Sequence, residues 1–251
     1  MNITRTRGVQ MNINMNPNGE LVQSAVNAPG VIEIPDSFIA EAKQFRELMM
    51  MYTCAIRETK TKLEVLNDEL AVRHQRNPIQ MIKSRVKKPS SITEKLQRRG
   101  LPVNVQSLKD NLDDVAGIRV ICSFVDDIYT VANMLARQDD VDVLMVKDYI
   151  RSPKTNGYRS YHMIIQVPIQ FSNGKTKMRV EVQLRTLAMV FWASLDHQMK
   201  YKKNLEDSEE IIEELTACAE MIAAADLRMQ RIREKIDERE NPPSPFQRDR
   251  G

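Results

Sequence analysis

From Met178 to Arg185 apolar and polar side chains alternate without a break. Met178, Val180, Val182 and Leu184 fall on one side of an extended chain; Arg179, Glu181, Gln183 and Arg185 fall on the other. A period of two excludes a helix here and sets one face of a strand against a core. Just upstream, Ser172-Asn173-Gly174 is a hairpin turn signal, so a strand from Lys175 to Thr186 should fold back on one from Tyr158 to Phe171. The fold must therefore hold an antiparallel ribbon with one wet face, and that face carries a carboxylate among cations. A mid-strand Glu181 between two valines is disfavoured unless its face is solvated or functional. An exposed, salt-bridged strand fits the pattern as well as a site does.

Two more β-branched runs, Val115 to Phe124 and Val141 to Met145, add strands, and helices are expected over 91–100, 126–137 and 187–202. The predicted architecture is α+β: a mixed, mostly antiparallel sheet of about five strands flanked by long helices. The first long helix should open near Pro35-Asp36, with Asp36 as its cap. Its seam of Phe45, Met49, Tyr52, Ile56, Thr59, Leu63, Leu66 and Leu70 keeps a heptad register that only Thr59 interrupts, and it is expected to pack on the core. A late seam, Ile211, Leu215, Cys218, Ile222, Ala225, Met229, Ile232 and Ile236, suits either packing on the domain or an oligomer interface.

The expected organisation is a polar extension over residues 1–33, a main domain over 34–205, a heptad helix over 206–240 and a polar tail over 241–251. A net charge of +3 is too small to argue for a DNA-binding protein. Cys54, Cys122 and Cys218 form no C-x-x-C pair, which points away from a zinc site and towards a reducing cytoplasm. No apolar run approaches a membrane span.

Seven cations lie between Lys83 and Arg99 against one acid, Glu94. Arg85 and Lys87 sit two apart in an extended stretch before Pro89 and project the same way. Ser91 and Glu94 have capping-box spacing, which would start a helix there and put Lys95 and Arg98 in its opening turns, a polyphosphate site. Ser91 need do no more than cap. Asp114, at a strand entrance, is a candidate Mg²⁺ ligand, with the adjacent Asp113 as the alternative. Asp114 and Arg119 have opposite parity, so sharing one site requires a bend near Gly117 or a site reached from two sides. Gly157 suggests a turn presenting the Tyr158 ring, and His162 shares parity with Tyr158 and Ser160. Trp192 reads as core, and Asp196-His197 as non-catalytic.

Taken in order, Arg85-x-Lys87 with Ser91-Ile92-x-x-Lys95, Asp114-Val115-Ala116-Gly117-Ile118-Arg119, Asp148-Tyr149-Ile150, Lys154-x-Asn156-Gly157-Tyr158-x-Ser160-x-His162 and Glu181-Val182-Gln183-Leu184-Arg185-Thr186 resemble the synthetase domain of the RelA/SpoT family, in its short form, the small alarmone synthetases. The resemblance covers roughly residues 40–205. It implies a nucleotidyltransferase-like fold and transfer of the β,γ-pyrophosphate of ATP to the 3′-hydroxyl of GDP or GTP. By the same carry-over, Arg85, Lys87, Ser91, Lys95, Arg98 and Arg119 would bind ATP. Lys154, Asn156, Tyr158, His162, Gln183 and Arg185 would bind GDP or GTP, with Tyr158 stacking on guanine. Glu181 and Asp114 would be catalytic and hold Mg²⁺. A cytoplasmic homotetramer built on the terminal helices is also implied. None of His74, His162 and His197 is followed by Asp, so synthesis without hydrolysis is expected. Two alternatives are a related pyrophosphokinase acting on adenine nucleotides or the tRNA 3′ end, and a non-enzymatic RNA-binding module using the cations at 83–99.

Overall fold

A computed structural model describes residues 14–15, 21–22, 36–74, 76–202 and 209–240. It divides into two compact units, Met1–Ala42 and Lys43–Gly251. In the first, β1 (Asn14–Met15) pairs antiparallel with β2 (Leu21–Val22), and α1 (Asp36–His74) begins. The rest of the expected extension over 1–33, and the tail over 241–251, lie outside the described residues.

In the second unit the α1 seam is buried, as its heptad pattern predicts: Tyr52, Ile56, Leu63, Leu66 and Leu70 join the core, with Phe45 and Met49 packed beside them. Thr59 is also fully buried, and its hydroxyl donates to the Ala55 carbonyl at 2.9 Å, so the one polar residue in the seam satisfies itself within the helix. Leu63 has no exposed surface. Leu63→Ala is expected to cost about 3–5 kcal/mol of stability, measured by denaturant unfolding, because a cavity replaces the lost side chain.

The remaining elements are β3 (Ile79–Val86), α2 (Pro89–Arg98), α3 (Val105–Asn111), β4 (Ala116–Cys122), α4 (Val125–Ala136), β5 (Asp142–Asp148), β6 (Tyr161–Phe171), β7 (Gly174–Thr186), α5 (Leu187–Lys202) and α6 (Glu209–Glu240). The sheet order is β3-β4-β7-β6-β5, antiparallel throughout except for the parallel β4–β7 pair. The hairpin forms where its turn signal stands, between Phe171 and Gly174. Val180, Val182 and Leu184 are fully buried with Ile118 and Val120 and with Ile128, Val131 and Leu135 of α4. Thr186 ends β7 and starts α5, its hydroxyl oxygen accepting the Met189 amide at 3.2 Å.

Several expectations need correction. Tyr158–Ser160 form a loop rather than the start of β6, and β5 runs on to Asp148. α2 begins at Pro89, whose fixed φ suits the first helical position, so Ser91 lies inside the first turn and no side chain caps the helix. The Ser91–Glu94 capping box therefore does not exist. Lys95 and Arg98 fall in the last turn, at the negative end of the dipole, which removes the helix-dipole argument for phosphate there.

The late seam is also displaced. α6 turns Leu215, Ala219, Ile222, Asp226, Gln230 and Arg233 towards the domain, a mean step of 3.6 residues, that of a straight helix rather than a heptad. Of the heptad positions only Leu215 and Ile222 pack inward; Met229, Ile232 and Ile236 are 58%, 44% and 49% exposed. Polar contacts hold the second half of α6 instead. The Thr186 hydroxyl donates to Asp226 at 2.5 Å, and Arg233 pairs with Asp126 at 2.5 Å and lies over the Phe124 ring.

Candidate active site

Residues paired across neighbouring strands point to the same side of a sheet. The register therefore lines up Lys83, Arg119, Gln183, His162 and Lys147 across all five strands, with Arg85, Gly117, Glu181, Ile164 and Met145 in the adjacent row. Only Glu181 is anionic in these rows. The parity conflict between Asp114 and Arg119 disappears without a bend near Gly117: pairing of β4 is regular from Ala116 to Ile121, and Asp114 precedes the strand.

Glu181 stands at a boundary. On one side it lines a cleft of about 200 Å³ with Lys83, Arg85, Gly117, Arg119 and Gln183. A larger hollow of about 510 Å³ adjoins it, sharing Lys83, Arg85 and Arg119 and adding Arg185 and the α5 residues Ser194 and Gln198. On the other side Glu181 lines a pocket of about 210 Å³ with Met145, Lys147, Tyr149, Lys154 and His162. One carboxylate thus borders a guanidinium-lined space and an aromatic-lined one.

The second pocket is built on a tight turn. Gly157 has φ of 79°, its amide donates to the Lys154 carbonyl at 2.8 Å, and the Lys154 amide donates to the Tyr158 carbonyl at 3.2 Å. Asn156 shapes this turn, its side-chain oxygen accepting the Tyr158 amide at 3.3 Å. The Tyr158 phenol oxygen accepts from Arg185 Nη2 and from Ser160 Oγ (3.0 Å), and lies 3.1 Å from His162 Nε2. With two donors already on that oxygen, its own proton goes to Nε2, which leaves Nδ1 as the protonated nitrogen facing Glu181 Oε1 at 3.5 Å. Lys154 Nζ lies 4.9 Å from the centroids of both Tyr149 and Tyr158, whose rings meet edge-on.

Gln183 Nε2 donates to Glu181 Oε2 at 2.8 Å, and its oxygen accepts from Arg185 at 2.9 Å. Burial pushes the Glu181 carboxyl up, but the hydrogen bonds from His162 and the Gln183 amide outweigh it and hold Glu181 below the ordinary carboxylate range. Burial also lowers the Arg185 guanidinium, opposed by Tyr158 and Glu181.

A third group lies beside the first cleft. Lys87 and Lys95 Nζ each approach Asp114 Oδ2 to 2.8 Å, one from the end of β3 and the other from α2. Burial raises the Asp114 carboxyl, and the two lysines more than reverse this, leaving it depressed. Its Oδ1 is buried and has no partner. Asp113 is engaged elsewhere, with Arg179 at 3.0 Å.

The sequence-predicted residues thus gather into three groups: Lys154, Tyr158, His162, Gln183 and Arg185 around Glu181; Arg85 and Arg119 across from them; and Lys87 and Lys95 on Asp114. Ser91 sits in the first turn of α2, and Arg98 is exposed at that helix's last residue. Lys83, counted only as one cation of a run, lines both basic spaces. Tyr149 and Lys147 also line the pocket, and the only sequence signal for them is the strand-period alternation of Met145, Lys147 and Tyr149.

A sheet face split by one ionised carboxylate into a basic cleft and an aromatic pocket is built for enzymes that move phosphate groups between two nucleotides. Residues 84–206 match the sequence profile described as the region found in RelA / SpoT proteins. The GTP pyrophosphokinase YwaC of Bacillus subtilis (strain 168) is 39% identical over 195 residues, 78% of this chain and 93% of that protein. Small alarmone synthetase 1 of Bacillus subtilis bound to its product pppGpp is 35% identical with a TM-score of 0.70, covering 78% of this chain and 99% of that one. The same synthetase bound to AMPCPP gives 33% identity and a TM-score of 0.65, over 78% and 99% of the two chains. The chain belongs to the RelA/SpoT family, among the relatives of its small alarmone synthetases.

Proposed function

We propose that this protein is a GTP pyrophosphokinase that transfers the β,γ-pyrophosphate of ATP to the 3′-hydroxyl of GDP or GTP. The observation that carries this reading is the place of Glu181, shared by a cation-lined cleft and a tyrosine-walled pocket. ATP takes the basic side, with Arg85, Arg119, Lys87 and Lys95 on its phosphates and a guanidinium plane available to its base. Ser91 and Arg98 are assigned to the same substrate by family likeness. GDP or GTP takes the other side, the guanine against Tyr158 and the remainder held by Lys154, Asn156, His162, Gln183 and Arg185.

Glu181, ionised and depressed, accepts the 3′-hydroxyl proton as the oxygen attacks the β-phosphorus of ATP. The bond from that phosphorus to the α–β bridging oxygen breaks, and AMP leaves with its electron pair. The protein's part is positioning and charge neutralisation. The donor set suits a divalent ion, Mg²⁺ in this reading: Asp114 Oδ1 is buried and unpartnered, and the Asp114 charge is felt at Glu181. Asp114 and Glu181 would hold the ion, which supplies charge neutralisation at the phosphates when bound.

Incubating the purified chain with ATP and GDP, GTP, AMP or deacylated tRNA, and separating products by anion exchange, tests the assignment. Pyrophosphorylated guanine nucleotide plus stoichiometric AMP is the expected result, and transfer only to AMP or tRNA would move the protein to a related activity. The exposed Met229, Ile232 and Ile236 on α6 support an oligomer interface, which family likeness makes that of a cytoplasmic homotetramer and which light scattering would report. Among the described residues no helix is long and apolar enough to cross a membrane.

A further inference from the structure

The turn that presents Tyr158 does not stand alone. Its outer side lies against α6 at two positions one helical turn apart, Thr216 and Ala219. A methyl group on Gly157 would come within 2.4 Å of Ala219 Cβ and 3.3 Å of Thr216 Cα, so the turn and the helix touch backbone to backbone. Thr216 Oγ1 lies 3.0 Å from the Thr155 carbonyl and 2.7 Å from the Ile212 carbonyl, sharing its one proton between turn and helix. Arg159 Nη1 donates to the Gly157 carbonyl at 3.2 Å and the Ala219 carbonyl at 3.3 Å, stitching the two together.

α6 is itself pinned next to these contacts. The Trp192 indole N–H donates to the Leu215 carbonyl at 3.1 Å, and the same ring meets Tyr158 edge-on at 6.4 Å. The turn's own bonds, among Lys154, Asn156, Gly157 and Tyr158, are local and set its shape. They do not fix where that shape sits. The bonds of Tyr158 to Arg185 and His162 fix the turn's inner side to the sheet, and the contacts with α6 and Trp192 fix its outer side.

We propose that α6 is the clamp that places the acceptor turn, with Arg159, Thr216 and Ala219 as positioning residues for the acceptor nucleotide rather than groups that touch it. This rests on the reading of the pocket lined by Tyr149, Lys154 and His162, with Tyr158 beside it, as the guanine-nucleotide site. On the donor side, among the described residues, Arg85, Lys87, Lys95, Arg119 and Asp114 take no hydrogen bond or ion pair from α6, and Lys87 and Lys95 are held by Asp114 instead. Loosening the clamp therefore weakens one substrate and spares the other, which a general loss of stability would not do.

The test is steady-state kinetics on the full chain carrying Arg159→Gln with Thr216→Val, against Thr216→Ser as the conservative variant. Each lost hydrogen bond is worth a factor of about 2–10, so the double variant should raise KM for GDP about tenfold. KM for ATP should stay within about twofold, and Thr216→Ser should behave as wild type because it keeps the hydroxyl. A parallel rise in both KM values, or no rise for GDP, overturns the proposal. If the double variant does not fold, the single variants must show the same one-sided change at a few-fold each. Wild-type protein that transfers nothing to guanine nucleotides would sink the proposed function instead. In that case hydrogen exchange at the Gly157 and Tyr158 amides still decides the clamp: it must quicken several-fold in Thr216→Val and not in Thr216→Ser.

Discussion

Glu181→Gln is expected to lower kcat for pyrophosphate transfer by about 10³-fold while leaving KM for GDP nearly unchanged, because a positioned general base contributes about 10²–10⁴, and to raise the Mg²⁺ requirement through loss of one oxygen ligand. The carboxamide has the shape of the carboxylate it replaces. Its oxygen still accepts the Gln183 amide, now at 2.8 Å from Glu181 Oε2. Its NH₂ would oppose the His162 Nδ1 proton, and the imidazole answers by exchanging tautomers, so that Nε2–H donates to the Tyr158 oxygen across the same 3.1 Å while the phenol proton turns to Ser160 Oγ at 3.0 Å. The network survives and the base does not. The pH profile follows from the depressed Glu181 carboxyl. The base is ionised above its lowered pKa, so activity persists on acidification through the ordinary carboxylate range and falls only as pH drops through that lowered value. Rapid-quench measurement of AMP release gives kcat directly. A variant retaining more than about a tenth of the wild-type rate would remove Glu181 from the role of base.

The parts of this fold legible in the sequence are those specified locally. Alternation from Met178 to Leu184 and the Asn173-Gly174 turn fix the β6–β7 hairpin within one contiguous stretch, and the 3–4 spacing of the α1 seam fixes its buried face. The start of α2 failed because two local signals competed, and Pro89 outcompeted Ser91. α3, at seven residues, is too short to show a period in the sequence, although Asn104 caps it through the Ser107 amide at 2.7 Å. β3 shows no clean alternation because it is an edge strand, partly wet on both faces. The candidate site divides in the same way. Tyr158, His162 and Glu181 sit in motifs whose chemistry is visible in the linear chain. Lys147 and Tyr149 join them only through the β5–β6 register, and the convergence of Lys87 and Lys95 on one oxygen is tertiary information that no spacing contains. α6 misled for a related reason: a heptad and a straight helix differ by a tenth of a residue per step, and only the partner surface selects between them.

Asp114→Asn should be the second severe lesion, and it should differ in kind from loss of the base. Two ammonium groups share Asp114 Oδ2, each at 2.8 Å, with Lys87 and Lys95 side chains only 14% and 19% exposed. A carboxamide cannot balance them. They repel each other and swing towards solvent, so the donor phosphates lose two organised cations and the divalent ion loses a hard oxygen ligand. The expected result is a fall of about 10²-fold or more in kcat/KM for ATP, with a raised KM for ATP and a higher Mg²⁺ requirement, whereas KM for GDP holds. Stability should also drop, by about 1–3 kcal/mol at neutral pH, less than for a deeply buried pair because the lysines can rehydrate. The sign with pH is set by the depressed carboxyl. Its contribution is fully present above the unfolded value of 3.8 and is lost as pH falls through the lower folded value. Wild type and variant should therefore differ in unfolding free energy at pH 7 and converge only in strong acid. Equal stability at neutral pH, or an unchanged Mg²⁺ titration, would mean that the two lysines are held by something other than this carboxylate.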